Sequence, residues 1–324
     1  MAEAGPARLL GRPAVAEAIS ARGLVLRLPD RELTVRPGIT TDAGELDSAD
    51  VVFLTVRADD VAGAVPDLNR VLKPGGYVLA FQNGAGSEEV LADDLGRERV
   101  IVATLTTRVS MAESGIVTQD SRGGGIALAT MTGAAVPGGI IELFRGAGLA
   151  VTAVSDYRSL RWSKLLLNVL GAGTTAILDQ DIAAVLADPR LFRIDQLVVR
   201  EAGRVMDAAG IRAISLPSYP VPLMRAIMRL PRPVAQRVLG PRIAGARGGK
   251  SPTARSDLQR GRSELPWFYG AIGKLGREHG IATPVSDAMG ELVSALIVDP
   301  EQRAGYRGQS KRLVAYLGGR GIRL

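Results

Sequence analysis

Along residues 1–155, short apolar runs that suit strands alternate with amphipathic stretches that suit helices. Residues 8–10 form a brief apolar run, and the runs at 23–28 and 32–35 flank Pro29-Asp30 as the arms of a hairpin do. The segment 51–56 is continuously apolar and rich in β-branched residues, the composition of a strand covered on both faces in a parallel sheet. A helix is predicted over 59–72, stopped by Lys73-Pro74-Gly75-Gly76. Then come a strand at 77–81, the loop Gln82-Asn83-Gly84-Ala85-Gly86, a helix at 87–95 and a strand at 100–104. A second hairpin runs through Ser114-Gly115, and a helix at 138–145 and a strand at 149–154 close this half. Such a rhythm predicts a doubly wound α/β domain. After Ser155, a good helix N-cap, strand patterns vanish, so an all-helical domain is expected over 156–324.

The most informative helix contains Trp162-Ser163-Lys164-Leu165-Leu166-Leu167-Asn168-Val169-Leu170. It is apolar enough to be buried on most sides, and the i, i+4 spacing of Lys164 and Asn168 stacks both on one face. The 40 basic residues include only five lysines, so 35 are arginines. A chain that otherwise uses arginine is expected to have kept lysine at its most buried basic position for a reason. A buried ammonium can exchange its proton, whereas guanidinium stays charged. The alternative is that Lys164 snorkels to solvent.

Composition narrows the remaining chemistry. At 324 residues and 46% apolar content the chain is globular and long enough for two domains. It has no cysteine and one histidine, His279, which excludes disulfides, thiolate chemistry, a Ser-His-Asp triad and a multi-histidine metal site; no metal is expected. No apolar stretch reaches the roughly 18 residues of a membrane span, and a cytoplasmic location is expected. The net charge of +7 comes from arginines interleaved with 33 acidic residues. Only 225–262 is locally basic and it is poor in aromatics, which fits a solvated helical face bordering an anionic ligand better than a nucleic-acid surface.

A doubly wound domain usually opens with Gly-x-Gly-x-x-Gly between a strand and a helix, and no such run stands in that context here. Gly171-Ala172-Gly173 follows a helix, and Gly146-Ala147-Gly148 precedes a strand; both suit caps or turns. The order of elements instead suggests a dinucleotide domain without its opening unit. Residues 1–5 would be the end of a helix, and 8–12 the second strand, ending in a basic residue, Arg12, suited to the 2′-phosphate that distinguishes NADP from NAD. The missing strand would lie between 8–10 and 51–56, leaving two edges whose unpaired groups cost about 1–3 kcal/mol each. The reading frame is therefore expected to start roughly 20 residues upstream.

Five ordered segments together resemble the ketopantoate reductase (2-dehydropantoate 2-reductase) family. They are Leu9-Leu10-Gly11-Arg12; Val56-Arg57-Ala58; Gln82-Asn83-Gly84; the Lys164/Asn168 helix; and Asp257-Leu258-Gln259-Arg260-Gly261-Arg262-Ser263-Glu264. The resemblance implies a Rossmann-like doubly wound sheet lacking its first strand, then an all-helical C-terminal domain. It also implies NADPH-dependent reduction of a 2-keto acid, with Lys164 as general acid and Glu264 by the cofactor and substrate hydroxyl. Asn168 would bind the keto acid, Asn83 would touch both ligands, and Arg12 and Arg57 would face the cofactor. Relatives commonly have lysine at Arg57 and Asn-Pro near Ala172-Gly173. After Glu264 they have Asp and Asn-Gly where this chain has Pro266 and Tyr269-Gly270. The serine that grips the substrate carboxylate has Ser251 and Thr253 as candidates. The expected partner is a small 2-keto acid, with no nucleic acid or membrane, and a homodimer stays open. The rival reading is an impaired homologue that binds ligands without turnover because its phosphate loop is absent.

Overall fold

The computed structural model describes residues 7–246 and 253–324; the helix end expected at 1–5 and the candidate ligand Ser251 lie outside the described residues. The chain divides into two compact units. One comprises the residues up to Gln82 with Ser87–Leu160 and Leu216–Tyr219, the other Asn83–Gly86, Arg161–Ser215 and Pro220–Leu324.

The first unit runs β1 (Arg8–Leu10), α1 (Pro13–Arg22), β2 (Leu24–Arg27), β3 (Glu32–Val35), β4 (Gly38–Thr40), β5 (Ala49–Leu54), α2 (Val61–Val71) and β6 (Leu72–Ala80). It continues through α3 (Ser87–Leu95), β7 (Val100–Leu105), β8 (Val109–Glu113), β9 (Ile116–Gln119), β10 (Ile126–Thr130), α4 (Gly138–Gly146) and β11 (Val151–Ala153). The main sheet has the order β11-β10-β7-β6-β5, with β5, β6 and β7 parallel and β10 antiparallel to β7. Leu79, Ile101, Ala103, Ile126 and Leu128 point from it to Ile140 and Phe144 of α4. Phe53, Phe81 and Phe144 extend this core, with Phe53 and Phe144 stacked at 5.3 Å. Burying such apolar surface, at about 25 cal/mol per Å², holds the layer together.

Four elements differ from the sequence expectation, the first being α1, since no helix was expected over Pro13–Arg22. β6 starts at Leu72, directly after α2, because Leu72 pairs with Ala49 ahead of an irregularity between Ala49 and Val51. The Lys73–Gly76 stop is thus part of the strand. β4 and β10 were not expected, being a three-residue run and a five-residue run, Ile126–Thr130, without apolar/polar alternation. β10 makes the sheet mixed. The hairpins β2–β3 and β8–β9 form as predicted, joined by the parallel pair β2–β9 into a separate four-stranded sheet. β1 pairs only with β4 and β5 only with β6 among the described residues, and Leu10 and Phe53 on these strands are exposed.

The second unit is helical: α5 (Tyr157–Val169, whose first turn falls in the first unit), α6 (Ala172–Leu178), α7 (Ile182–Ala187), α8 (Pro189–Ala208), α9 (Val221–Met228), α10 (Arg232–Ala246), α11 (Thr253–Gln259), α12 (Leu265–Glu278), α13 (Pro284–Val298), α14 (Pro300–Ala304) and α15 (Ser310–Gly318). His279 ends α12, as its place before Gly280 suggests. No described helix is long and apolar enough to cross a membrane. The long α8 is central, burying Ile194, Val198, Val199, Ala202, Val205 and Met206, with α12 and α13 packed on it. Its Glu201, 2% exposed, accepts hydrogen bonds from Val285 N (2.9 Å), Ser286 N (2.8 Å) and Ser286 Oγ (2.7 Å). The carboxylate satisfies donors that the first turn of α13 would otherwise bury unpaired. Burial pushes the Glu201 carboxyl above its ordinary range while those donors pull it down. Glu201→Gln turns an amide NH2 toward donors that need acceptors. It is expected to cost about 1–3 kcal/mol, read as a lower urea midpoint at unchanged m-value.

Candidate active site

α5 is started by Asp156, whose carboxylate accepts from Arg158 N (3.0 Å) and Ser159 N (3.2 Å). The cap thus lies one residue after Ser155, because carboxylate oxygens reach both N–H groups of the first turn. Leu160, Leu165, Leu166, Val169 and Leu170 are buried, and Ser163 Oγ accepts from Ile214 N at 2.8 Å. Lys164 and Asn168 are half-buried on one face. Lys164 is not the most buried basic residue: Arg161, one turn earlier, is 1% exposed. Guanidinium is more weakly hydrated than ammonium and accepts burial more readily, which overturns that part of the sequence argument.

The loop after β6 is fixed from both ends. Gln82, buried, donates from Nε2 to the carbonyls of Leu54 (2.8 Å) and Val56 (3.1 Å), tying the loop's base to the carboxyl end of β5. Asn83 Oδ1 then accepts from Asn168 Nδ2 at 3.2 Å. Gly84 has φ +87°, and a Cβ there would lie 3.0 Å from Trp267 Cβ and 3.1 Å from Trp267 O. Only glycine suits that close approach in the left-handed region. The loop therefore touches α5 through Asn83 and the first turn of α12 through Gly84.

Glu264 heads that turn. Gln259 Nε2, at the end of α11, donates to Ala176 O on α6 (3.2 Å), and the chain then bends at Gly261, φ +74°. Ser263 Oγ accepts from Leu265 N at 3.1 Å, and Glu264, half-buried, occupies the N-cap position of α12. Negative charge is favourable at the N-terminus of a 14-residue helix. Lys164, Asn168, Asn83 and Glu264 thus all belong to the second unit, on three segments joined through one loop.

The Gly171-Ala172-Gly173 departure has a packing cause. Gly171, at φ +70°, separates α5 from α6 as a turn, as its sequence context suggests. A Cβ at Gly171 would strike Ile182 Cδ1, and one at Gly173 would strike the Tyr269 hydroxyl. Ala172 is buried, and burial pushes the Tyr269 phenol well above its ordinary pKa. Positions 173 and 269 are thus in contact, small on one side and aromatic on the other.

The two cofactor candidates lie in the first unit. Arg12, exposed, follows β1 as the N-cap residue of α1, its carbonyl accepting from Val15 N and Ala16 N. Arg57 follows β5, its side chain 15% exposed, with Nε 3.0 Å from Asp59 Oδ1. Sequence reasoning gave no role to Gln82, Arg161 or Tyr269. The signal for Gln82 was its place at a strand end beside Asn83; for Arg161, its place three residues before Lys164; for Tyr269 nothing in the sequence indicated contact with Gly173.

Comparison with known proteins agrees over both units. The model described as "Ketopantoate reductase PanE/ApbA" matches residues 2–133, and that described as "Ketopantoate reductase PanE/ApbA C terminal" matches 156–297. The 2-dehydropantoate 2-reductase of Halobacterium salinarum is 30% identical over 275 residues, 84% of each chain. The crystal structure of 2-dehydropantoate 2-reductase from Geobacter metallireducens GS-15 superposes with a TM-score of 0.71 at 25% identity, covering 90% of each chain. The ternary structure of D-mandelate dehydrogenase with NADH and anilino(oxo)acetate shares the fold, with a TM-score of 0.74 at 20% identity over 90% of each chain. With a Rossmann-like domain, a helical C-terminal region and matches along most of its length, the chain belongs to the ketopantoate reductase family.

Proposed function

We propose that the protein reduces a 2-keto acid, ketopantoate or a close relative, to the 2-hydroxy acid with NADPH, and that Lys164 is the general acid. The observation that carries this reading is the Asn168–Asn83 hydrogen bond, which sets a polar pair one helical turn from Lys164. The shared name of the curated relatives supports the reaction, and NADH in the D-mandelate dehydrogenase structure supports a nicotinamide dinucleotide. Arg12 favours NADP, since a guanidinium just after β1 suits a 2′-phosphate. The donor set fits such a cofactor through Arg12 and Arg57, although no Gly-x-Gly-x-x-Gly run joins a strand to a helix here.

When bound, the nicotinamide supplies a hydride to C2 of the keto acid. Negative charge then grows on the carbonyl oxygen, where the Lys164 ammonium stabilises it and donates a proton. Asn83, its Oδ1 engaged by Asn168, has amide N–H groups to offer the substrate. Glu264 accepts from the substrate hydroxyl and keeps the ammonium oriented. One observation favours the rival reading of a binding protein without turnover: among the described residues β1 and β5 are each paired on one side, in the domain that would hold the cofactor. Quenching of protein fluorescence by NADPH separates the two, since the rival predicts none.

Three substitutions test the assignments. Lys164→Ala is expected to lower kcat by about 10²-fold or more at saturating NADPH, the scale of a lost general acid, and unchanged turnover would refute the role. Arg12→Ala should weaken NADPH binding by about tenfold while leaving NADH binding nearly constant, because only the former presents a 2′-phosphate. Gly84→Ala adds about 1–2 kcal/mol of backbone strain and a clash with Trp267. It should displace Asn83 and raise KM for the keto acid more than it lowers kcat, as steady-state kinetics would read.

A further inference from the structure

Within the second unit, α8 and α9 border a cavity of about 350 Å³ that has no part in the chemistry above. Four arginines line it: Arg200 and Arg204, one turn apart on α8, and Arg225 and Arg229, one turn apart on α9 and its C-cap. Leu197 and Met228 give it an apolar wall. Like charges at i, i+4 repel, and here two such pairs share one space.

Nearby acidic groups offset only half of this charge. Asp207 Oδ2 accepts from Arg225 Nη2 (2.5 Å) and Arg229 Nη2 (2.9 Å), and the Arg225 bond holds its carboxyl below the usual range. Glu201 faces the N-terminus of α13, where its oxygens are taken by Val285 and Ser286. Glu201 also acts on Arg204 through its charge, so four guanidinium groups against two carboxylates leave an excess of two positive charges at the cavity.

The guanidiniums are also held in place. Arg200 donates from Nε to Met228 O (2.7 Å) and from Nη2 to Arg229 O (2.9 Å) and Leu230 O (2.7 Å), and Arg225 Nη2 donates to Gly203 O (2.6 Å). Arg225 Nε is buried without a hydrogen-bond partner. Burial and the neighbouring charge of Arg193 both press the Arg200 pKa down. Planar guanidinium forks match phosphate oxygens two at a time.

We propose that this cavity binds a small phosphorylated metabolite, a diphosphate or phosphate ester, at a site separate from the one that contains Lys164. Its volume is that of a small-molecule pocket, and the apolar wall would receive the carbon part of the ligand. Confinement between two helices, with half the guanidiniums committed to carbonyls, suits a compact anion rather than a nucleic-acid backbone.

Titration of inorganic pyrophosphate into the full chain at low ionic strength, followed by calorimetry and thermal unfolding, tests this. Saturable binding with a rise in Tm is expected, tighter than for chloride or malonate at equal ionic strength. Arg204→Glu, at an exposed position that should not disturb folding, should weaken it by about tenfold or more, as should Arg229→Ala, whereas Lys164→Ala should leave it intact. Absence of saturable binding overturns the proposal. So do affinity retained in both arginine variants, binding lost in Arg12→Ala but kept in Arg204→Glu, which assigns it to the cofactor site, and tighter, steeply salt-dependent binding of duplex DNA.

Discussion

The hydrogen bond from Asn168 Nδ2 to Asn83 Oδ1 is where this molecule's arrangement converges. It draws the tip of a strand-to-helix loop onto the polar face of an otherwise apolar helix. The loop's base is meanwhile fixed by Gln82 on the carbonyls of Leu54 and Val56. Two amide side chains, each with both donors and acceptors, can satisfy one another and still present groups outward, which a hydroxyl or carboxylate pair cannot do as flexibly. The missing side chain at Gly84 lets the same loop rest on Trp267, three residues after Glu264. Three segments distant in sequence are thereby held by contacts that leave little freedom.

Much of the fold was legible because periodicity and punctuation agreed. The hairpin about Pro29-Asp30, the helix at Ser87–Leu95 and the change to helix after residue 155 each carried matching apolar spacing and turn residues. What escaped was structure without a local signature. β10, Ile126–Thr130, is a short run without apolar/polar alternation that becomes a strand where β7 and β11 offer it hydrogen bonds, and β4 pairs with β1. The start of β6 at Leu72 likewise depends on Ala49, 23 positions away. Pairing at a distance is not encoded in a short window.

The candidate site divides in the same way. Lys164 and Asn168 were legible because helical spacing alone puts them on one face, whereas Asn83 reads by itself as a turn residue and became a candidate only through the family resemblance of Gln82-Asn83-Gly84. The link between Asn83 and Asn168, and the seat of Gly84 on Trp267, are tertiary. The Gly173–Tyr269 pair is the clearest instance. In sequence Tyr269 stood only as a departure from Asn-Gly and Gly173 as part of a departure from Asn-Pro, and only their contact shows that a glycine makes room for a buried phenol.

The preference for arginine over lysine then acquires a structural sense. Arg200 bridges three carbonyls after α9, Arg225 reaches Gly203 O, Arg99 reaches Lys73 O and Gly76 O, and Arg303 bonds Leu296 O. A planar fork with several fixed donors can close the ends of helices and strands in this way, whereas an ammonium on a flexible stem offers one point charge. Arginine is therefore the chain's cross-link at these places, a cation that never gives up its proton. The same property disqualifies it for acid chemistry. Lys164 keeps partial solvent access and a titratable nitrogen on a face it shares with Asn168. On the proposed function its identity follows from proton transfer, while one turn earlier the more buried basic position is filled by arginine.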